Sequence, residues 1–267
     1  MSEREPIHEP AVPLIDEESA WVHEAADRFE HATAQELLGW ALDRFHPRMA
    51  ISAAGGLDGM VLIDMAWRIN PGVRVFTLDT GRLPRETYSL FEDIRERYGI
   101  QVEFEFPDRL EVARLVQQHG PNLMYRSVDL RVACCEIRKV APLRRALSGF
   151  DAWITSIRRD QTSDRAVARV VEWDLRFGLV KVNPLAGWTS EDVQRYVRVH
   201  RVPVNPLHAR GYPSIGCMPC TTAVAAGEAP RAGRWRGREK TECGLHARLP
   251  FAGHPLVVGG QEEASAS

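Results

Sequence analysis

Two periods of apolar residues alternate along this chain, one typical of helices and one typical of buried strands. Apolar residues spaced three and four apart predict helices over 17–29, 33–45, 60–69, 84–98, 133–147 and 190–200. Short apolar runs predict strands over 49–53, 73–78, 102–106, 152–157, 170–173 and 180–182. Strands that alternate with helices in this way predict an α/β fold, a mostly parallel sheet with helices on both faces.

Two polar loops follow the first two predicted strands, and both contain glycine. Residues 54–59 read Ala-Gly-Gly-Leu-Asp-Gly, and residues 79–82 read Asp-Thr-Gly-Arg. Ligands of parallel sheets bind beyond the carboxyl ends of the strands, so these loops predict a binding site. At the start of the helix that follows, Gly55 and Gly56 present backbone N–H groups that suit an anion.

The composition is that of an ordinary folded protein. Among 267 residues, 44% are apolar, and 34 basic side chains stand against 36 acidic ones, which gives a formal net charge of −2. A general nucleic-acid binder is strongly basic, so nucleic acid is not an expected partner. Charged residues interrupt every hydrophobic stretch before it reaches about 18 residues, so no membrane association is expected. The Glu- and Pro-rich residues 1–16 predict a disordered leader rather than a signal peptide, and hence a cytoplasmic protein.

The five cysteines occur as an adjacent pair, a C-x-x-C pair and a single residue: Cys134, Cys135, Cys217, Cys220 and Cys243. In a reducing compartment this spacing favours a metal site or a nucleophile over disulfides. Adjacent cysteines reach one tetrahedral ion only with backbone strain, whereas the separate corners of an iron-sulfur cluster suit them better. The alternative is that Cys134 and Cys135 are small buried hydrophobic residues on a helix.

A basic segment precedes the last cysteine. Residues 230–240 contain five basic side chains and one acid, Glu239. Positive neighbours lower the pKa of a thiol such as that of Cys243 and attract an anionic substrate. The alternative is a solvated basic face with an incidental cysteine. No long helix or strand is predicted over 208–242, and a structureless stretch of this length favours a lid or functional loop.

Several short motifs, taken together, resemble those of a known family. Four follow one another as Ala-Cys-Cys-Glu-Ile-Arg-Lys, Ile-Gly-Cys-Met-Pro-Cys-Thr, Arg-Ala-Gly-Arg-Trp and Glu-Cys-Gly-Leu-His, at 133–139, 215–221, 231–235 and 242–246. With Leu-Asp-Thr-Gly-Arg, Arg-Arg-Asp-Gln and Leu-His-Ala-Arg-Gly-Tyr, at 78–82, 158–161 and 207–212, they resemble the assimilatory sulfonucleotide reductases. More narrowly, they resemble the iron-sulfur adenylyl-sulfate (APS) reductases. The resemblance extends over about residues 33–246.

The resemblance implies a fold like that of the adenine-nucleotide alpha-hydrolases and ATP pyrophosphatases, with a flexible C-terminal segment that closes over the nucleotide. We therefore divide the chain into four parts. These are a leader, a nucleotide-binding α/β domain with half of the cluster ligands, a C-terminal cluster and catalytic segment, and a tail, at 1–16, 17–207, 208–250 and 251–267.

The resemblance also implies a reaction and a cofactor. Cys243 would attack the sulfur of APS, release AMP and carry an S-sulfocysteine, which thioredoxin or a similar thiol donor would cleave to give sulfite. The ligands of a 4Fe-4S cluster would be Cys134, Cys135, Cys217 and Cys220. Assembly into a homo-oligomer is compatible with the sequence.

Positive charge is needed where a thiolate meets a phosphosulfate, and Lys139, Arg231 and Arg234 match the family's substrate-contacting positions. Lys139 follows Cys135 by one helical turn, which predicts a place between cluster and substrate. His246 either orients the sulfonate or thiol or packs in the tail. The other substrate-binding residues that the resemblance implies are Ser52, Gly55, Gly56, Leu78, Asp79, Thr80, Arg82, Arg158, Arg159 and Gln161.

Three other functions stay open. Reduction of the 3′-phosphorylated nucleotide PAPS differs only in the substrate, and the cluster cysteines favour APS because PAPS-specific relatives usually lack them. An ATP pyrophosphatase rests on the glycine loop alone, in which Ala54 and Gly59 replace the serines of that class. If the protein were a non-enzymatic nucleotide sensor, Cys243 and the arginine-rich segment would have no function.

Overall fold

A six-stranded sheet forms the centre of the protein in the computed structural model, which describes residues 17–237. The strands are β1 (Met49–Ser52), β2 (Val75–Leu78), β3 (Glu103–Glu105), β4 (Ala152–Ile154), β5 (Val171–Asp174) and β6 (Leu179–Val182). They lie in the order β3-β2-β1-β4-β6-β5, and every neighbouring pair is parallel except β5 with β6. The predicted, mostly parallel sheet is confirmed. The predicted leader and tail lie outside the described residues.

Helices connect the strands and cover the sheet. They are α1 (Glu17–Phe29), α2 (Ala34–Phe45), α3 (Leu57–Ile69), α4 (Arg85–Tyr98), α5 (Arg109–His119), α6 (Val128–Cys135), α7 (Ala141–Leu147) and α8 (Ser190–His200). A capping box starts α2, where the side chain of Thr33 accepts a hydrogen bond from the Glu36 amide at 3.2 Å. In the part of the chain that the structure describes, no helix is both long and apolar enough to cross a membrane.

Alternate residues of each strand pack into two different hydrophobic cores. Met49 and Ile51 of β1 lie in one core, with residues of α1 to α4 and α8. Ala50, between them, lies in the other core with Trp153 of β4 and Leu143 of α7. Because side chains of a strand point to opposite faces in turn, this alternation confirms that helices cover both faces of the sheet.

Two helical segments differ from the prediction. The sequence does not predict α5, because Leu115 is its one buried residue and its apolar pattern is therefore weak. The helix predicted over 133–147 starts earlier, at Val128, and a π-helical turn over Glu136–Val140 separates α6 from α7. Both segments lie between β3 and β4, so they do not alter the sheet.

Between α8 and residue 237, where the described part of the chain ends, there is no long helix or strand, as the sequence predicts for this stretch. Short 3-10 turns occur at Pro206–Arg210 and Met218–Cys220, and a single antiparallel bridge pairs Thr221 with Arg234. We refer to residues 206–237 as the cysteine segment, because it contains the C-x-x-C pair.

Candidate active site

The loops with the predicted chemistry meet at one edge of the sheet. β1 lies between β2 and β4, so the connections that leave β1 and β4 run in opposite directions and open a crevice at the carboxyl ends of these strands. The loops 53–56, 79–84 and 155–161 all begin at this edge. The loops after β1 and β2 thus lie where the sequence predicts them, and ligand binding there stays a prediction.

A buried ion pair joins the loop after β1 to the loop after β4. Asp58, in the first turn of α3, pairs with Arg158 and also accepts a hydrogen bond from Nε2 of Gln161 at 3.2 Å. Nε of Arg158 donates to the Asp160 carboxylate at 2.9 Å. Burial raises the pKa of Asp58, although the positive charge of Arg158 opposes this effect. Arg158 and Gln161 therefore lie beside the glycine loop, as a nucleotide site requires.

Arg159 has different surroundings from its neighbour Arg158. Its Nη2 donates to the Glu30 carboxylate at 3.0 Å, just beyond α1, and its Nε donates to the Ala168 carbonyl at 2.8 Å. The structure thus ties this predicted site residue to the end of α1 and does not bring it to the Asp58 cluster.

The glycine loop is shaped by Gly55. This residue has a φ of +75°, and a Cβ at its position would lie 3.0 Å from Cγ2 of Thr87 on α4. Thr87 also accepts a hydrogen bond from the buried Asn205 side chain at 3.0 Å, and this bond limits how far the Thr87 side chain can move away from such a Cβ. Gly56 then caps α3 without a side chain, and Ser52, which is partly buried, ends β1 just before the loop. The first-turn N–H groups of α3 consequently lie at the crevice.

Replacing Gly55 by alanine is expected to lower the free energy of unfolding by about 1–2 kcal/mol, because L residues are strained in the left-handed region and Thr87 is in the way. Thermal unfolding measures the effect. Gly56→Ala is the matched control, since a Cβ on Gly56 would meet no atom within 4 Å and the φ of this residue is −88°. Equal stability of the two variants would contradict this account of Gly55.

The loop after β2 is held by Asp79, a buried carboxylate. It accepts hydrogen bonds from the amide of Gly81 at 2.8 Å and from the hydroxyl of Tyr88 at 2.9 Å. Burial, together with the Asp79 carboxylate, raises the pKa of Tyr88 to about 12, so this hydroxyl stays protonated and keeps donating. Leu78, partly buried at the end of β2, and Asp79 thus have fixed positions at the crevice, as the sequence predicts.

The same loop anchors the cysteine segment. The carbonyl of Arg82 accepts a hydrogen bond from the Met218 amide at 2.9 Å. The hydroxyl of Thr80 lies 3.2 Å from Sγ of Cys217, and the Thr80 carbonyl accepts a hydrogen bond from Nη1 of Arg138 at 2.7 Å. Thr80 therefore links the segment of one cysteine pair to the helix of the other.

The four cysteines of the described chain converge as free thiols. Cys134 and Cys135, at the end of α6, are each 9% exposed, and Cys220 packs against the clusters that contain both of them. Burial raises the pKa of Cys134 to about 11, and the neighbouring thiols of Cys135, Cys217 and Cys220 add to the shift. The packing of Cys220 on Cys134 and Cys135 brings the two pairs together, although they come from distant parts of the sequence.

The hydrophobic alternative describes part of these surroundings, since Cys134 packs with Leu115, Leu123 and Met124. Between residues 17 and 237 no three or more His, Cys, Asp or Glu side chains are arranged around one metal ion. Two cysteine pairs that meet are, however, a donor set typical of an iron-sulfur cluster. By their chemistry, the residues present fit such a group.

Lys139 lies within the π-helical turn that follows Cys135, where the sequence predicts an α-helix, and its place between cluster and substrate stays a prediction. Its charge nevertheless acts on the cysteines. Burial raises the pKa of Cys220, and the positive charge of Lys139 partly offsets that effect. Lys139 is thus near the C-x-x-C pair, although it belongs to the other half of the site.

The arginines of the basic segment divide into two kinds. Arg236 is exposed and makes a double ion pair with Glu228 at 2.7 Å, as expected for a solvated face. Arg231 and Arg234 are partly buried over the ring of Trp235, with guanidinium carbons 5.9 and 4.7 Å from the ring centroid. The indole itself packs on Cys135 and Cys220. The predicted substrate arginines therefore lie beside the thiols.

Cys243, the predicted nucleophile, and His246, a predicted substrate-binding residue, lie outside the described residues. The residues that sequence reasoning missed are Asp58, which fixes Arg158, and Tyr88, which fixes Asp79. Asp58 had a visible signal, because it stands beside the glycines in the loop just before a predicted helix.

Comparison with known proteins agrees with this geometry. The sequence profile of the phosphoadenosine phosphosulfate reductase domain matches residues 48–223. The chain belongs to this family. The reductase-domain match includes both cysteine pairs, the glycine loop and Lys139, whereas Arg231 and Arg234 lie beyond it.

Relatives of the reductase family share most of their length with this chain. The adenosine 5′-phosphosulfate reductase of Allochromatium vinosum is 48% identical over 195 residues, which are 72% of this chain and 76% of that protein. The crystal structure of phosphoadenylyl-sulfate (PAPS) reductase from Candida auris, a phosphate complex, has a TM-score of 0.64 and 28% identity and covers 74% of this chain and 94% of its own.

A third likeness concerns the fold alone. FMN adenylyltransferase of Candida glabrata, in complex with FAD and inorganic pyrophosphate, has a TM-score of 0.51 at 14% identity and covers 76% of this chain and 65% of its own. The α/β fold that the resemblance implies is therefore confirmed.

Proposed function

We propose that this protein is an adenylyl-sulfate reductase, which converts APS and two thiols to sulfite, AMP and a disulfide. The Cys243 thiolate attacks the sulfur of APS, the bond from sulfur to the phosphate oxygen breaks, and AMP leaves with the electron pair. The product is an S-sulfocysteine on Cys243. A thiol donor of the thioredoxin class then attacks Sγ of Cys243 and releases sulfite, and its second thiol resolves the mixed disulfide.

One observation carries this proposal: Arg231 and Arg234 lie over Trp235, which packs on Cys135 and Cys220, while Cys217 lies beside Thr80 of the loop after β2. The attack brings a thiolate to a phosphosulfate, two anions that repel each other. Fixed cations offset this repulsion, and guanidinium groups grip phosphate or sulfate oxygens with two donors. Relatives that are 48% identical and named adenosine 5′-phosphosulfate reductase support the same substrate.

The proposal includes a 4Fe-4S cluster held by Cys134, Cys135, Cys217 and Cys220. When bound, such a cluster would supply an electrostatic effect on the charge of Lys139 rather than electron transfer, and this is the role that we assign to it. The chain's own residues do the rest: Thr80 orients Cys217, and the carbonyl of Cys220 accepts a hydrogen bond from the Trp235 amide at 3.1 Å. Residues 208–250 then act as the cluster and catalytic segment, with residues 17–207 as the nucleotide-binding domain.

PAPS is the second candidate substrate, favoured by the likeness to the solved PAPS reductase. The two nucleotides differ by a 3′-phosphate. The Asp58–Arg158–Asp160 group places two carboxylates with one guanidinium at the crevice, which does not favour a further anion there. We therefore propose APS as the preferred substrate.

The intact mass of anaerobically purified protein tests the proposal, after incubation with APS or with PAPS and no reductant. We expect one added sulfonate group with APS and unmodified protein with PAPS. An adduct that forms faster with PAPS would establish the second candidate. No adduct with either nucleotide, in protein with intact iron, would exclude both reductase functions.

A further inference from the structure

The helical segment from Val128 to Leu147 changes its hydrogen bonding directly after the two cysteines. Residues Glu136–Val140 form a π-helical turn, and the amide of Ala141 bonds to the carbonyl of Glu136, five residues back rather than four. Such turns occur inside α-helices at functional positions. Here the turn contains Arg138 and Lys139, both of which belong to the site.

The sequence contains a cause for this turn. Pro142 stands at the start of α7, inside an otherwise continuous helical segment. Proline has no N–H, so it cannot bond to the carbonyl of Arg138 four residues earlier, and its ring clashes with that carbonyl. The helix relieves the clash by widening just before the proline.

Both ends of the segment are fixed by packing. Cys134 lies in the small core with Leu115 and Leu123, whereas Leu143 and Leu147 of α7 lie in the core beside β1, β2 and β4. Neither end of the helix can therefore rotate when the hydrogen bonding of the turn changes. The residues between the two ends, Arg138 and Lys139, shift instead.

The turn places these two adjacent residues next to the cysteine pair. Nη1 of Arg138 donates to the carbonyl of Thr80 at 2.7 Å, and the Thr80 hydroxyl lies 3.2 Å from Sγ of Cys217. Lys139 is the next residue of the same π-helical turn, four positions after Cys135. In an α-helix successive residues point about 100° apart, and their directions follow from the local hydrogen-bonding pattern.

We infer that Pro142 is a positioning residue, which aims Lys139 at the cysteines and the substrate by imposing the π-helical turn. Pro142 touches neither reactant and acts through Lys139. The inference rests on the proposed function, because it assigns Lys139 to the substrate anion.

The test is Pro142→Ala, which supplies the missing N–H. We expect the KM for APS to rise about tenfold with a smaller change in kcat, because misplacing a binding group weakens its contact with the anion. The Kd for APS, measured by calorimetry in a Cys243→Ser background that does not consume the nucleotide, should rise equally. The thermal midpoint should stay the same or increase, because alanine suits a helix interior better than proline.

A double-mutant cycle separates this role from a structural one. In a Lys139→Ala background, Pro142→Ala should have no further effect on KM or Kd, because the group that it misplaces is already gone. Pro71→Ala is the matched control, since Pro71 is exposed in the turn before β2, at the opposite edge of the sheet.

Additive effects of Pro142→Ala and Lys139→Ala, or an unchanged Kd in Pro142→Ala, would overturn the inference while leaving the proposed function intact. If Pro142→Ala does not fold, Pro142→Ser supplies the same N–H. Failure of both to fold would also overturn it, because the proline would then serve the fold. An unmodified chain that neither binds nor turns over APS would instead exclude the proposed function, and this inference with it.

Discussion

Cys243→Ser should abolish the sulfonate adduct on incubation with APS and lower turnover at least about 10³-fold. A thiolate is the attacking species, and a serine hydroxyl is not ionised at neutral pH. Intact mass without reductant and steady-state sulfite release with thioredoxin measure the two effects. Their joint loss would identify Cys243 as the nucleophile.

Nucleotide affinity provides the control for this substitution. The Kd for AMP should change little in Cys243→Ser, because the crevice at β1, β2 and β4 is untouched. Arg236→Ala provides a control for the basic segment, since Arg236 is paired with Glu228 and exposed. Sulfite release by Cys243→Ser at the unmodified rate would refute the covalent mechanism.

Cys217→Ser should remove bound iron and activity together, from about four irons per chain to well below one. A serine oxygen is a poor ligand for iron in such clusters, and Cys217 is the cysteine that the β2 loop holds through Thr80, at 3.2 Å. Iron and acid-labile sulfide are measured on anaerobically purified protein. Activity should fall at least about 10²-fold, because the cysteine segment loses its connection to α6.

Thr80→Val distinguishes a ligand from its neighbour. Valine keeps the shape of threonine but removes the hydroxyl beside Cys217, so the variant should keep its iron. Iron and activity that persist in Cys217→Ser would show that the ligand set is wrong. Bound zinc without acid-labile sulfide in the unmodified protein would exclude the cluster itself.

The sheet and most helices follow from the sequence because their signals are local. The capping box of Thr33 and Glu36 involves residues three apart, and the strand runs at Met49 and Val75 are almost entirely buried. The location of the crevice can equally be predicted from the sequence, since it requires only that the strands be parallel.

Contacts between distant segments could not be predicted from such local signals. The ion pair of Asp58 with Arg158 joins positions 100 residues apart, and Thr80 meets Cys217 across 137 residues. The spacing of Cys135 and Lys139 assumed an α-helix, and Pro142 shows why that assumption fails. Its position inside a predicted helix was a signal that the sequence did contain.

The two cysteine pairs lie far apart along the chain, since Cys217 follows Cys135 by 82 positions. All six strands of the sheet precede Cys217. Bringing the pairs together closes a long loop, whose entropic cost is smaller once the intervening sheet has folded. During synthesis, a ribosome-bound chain that stops before residue 217 thus contains all strands of the sheet but only the first cysteine pair. We therefore expect metal loading to be a late step in maturation.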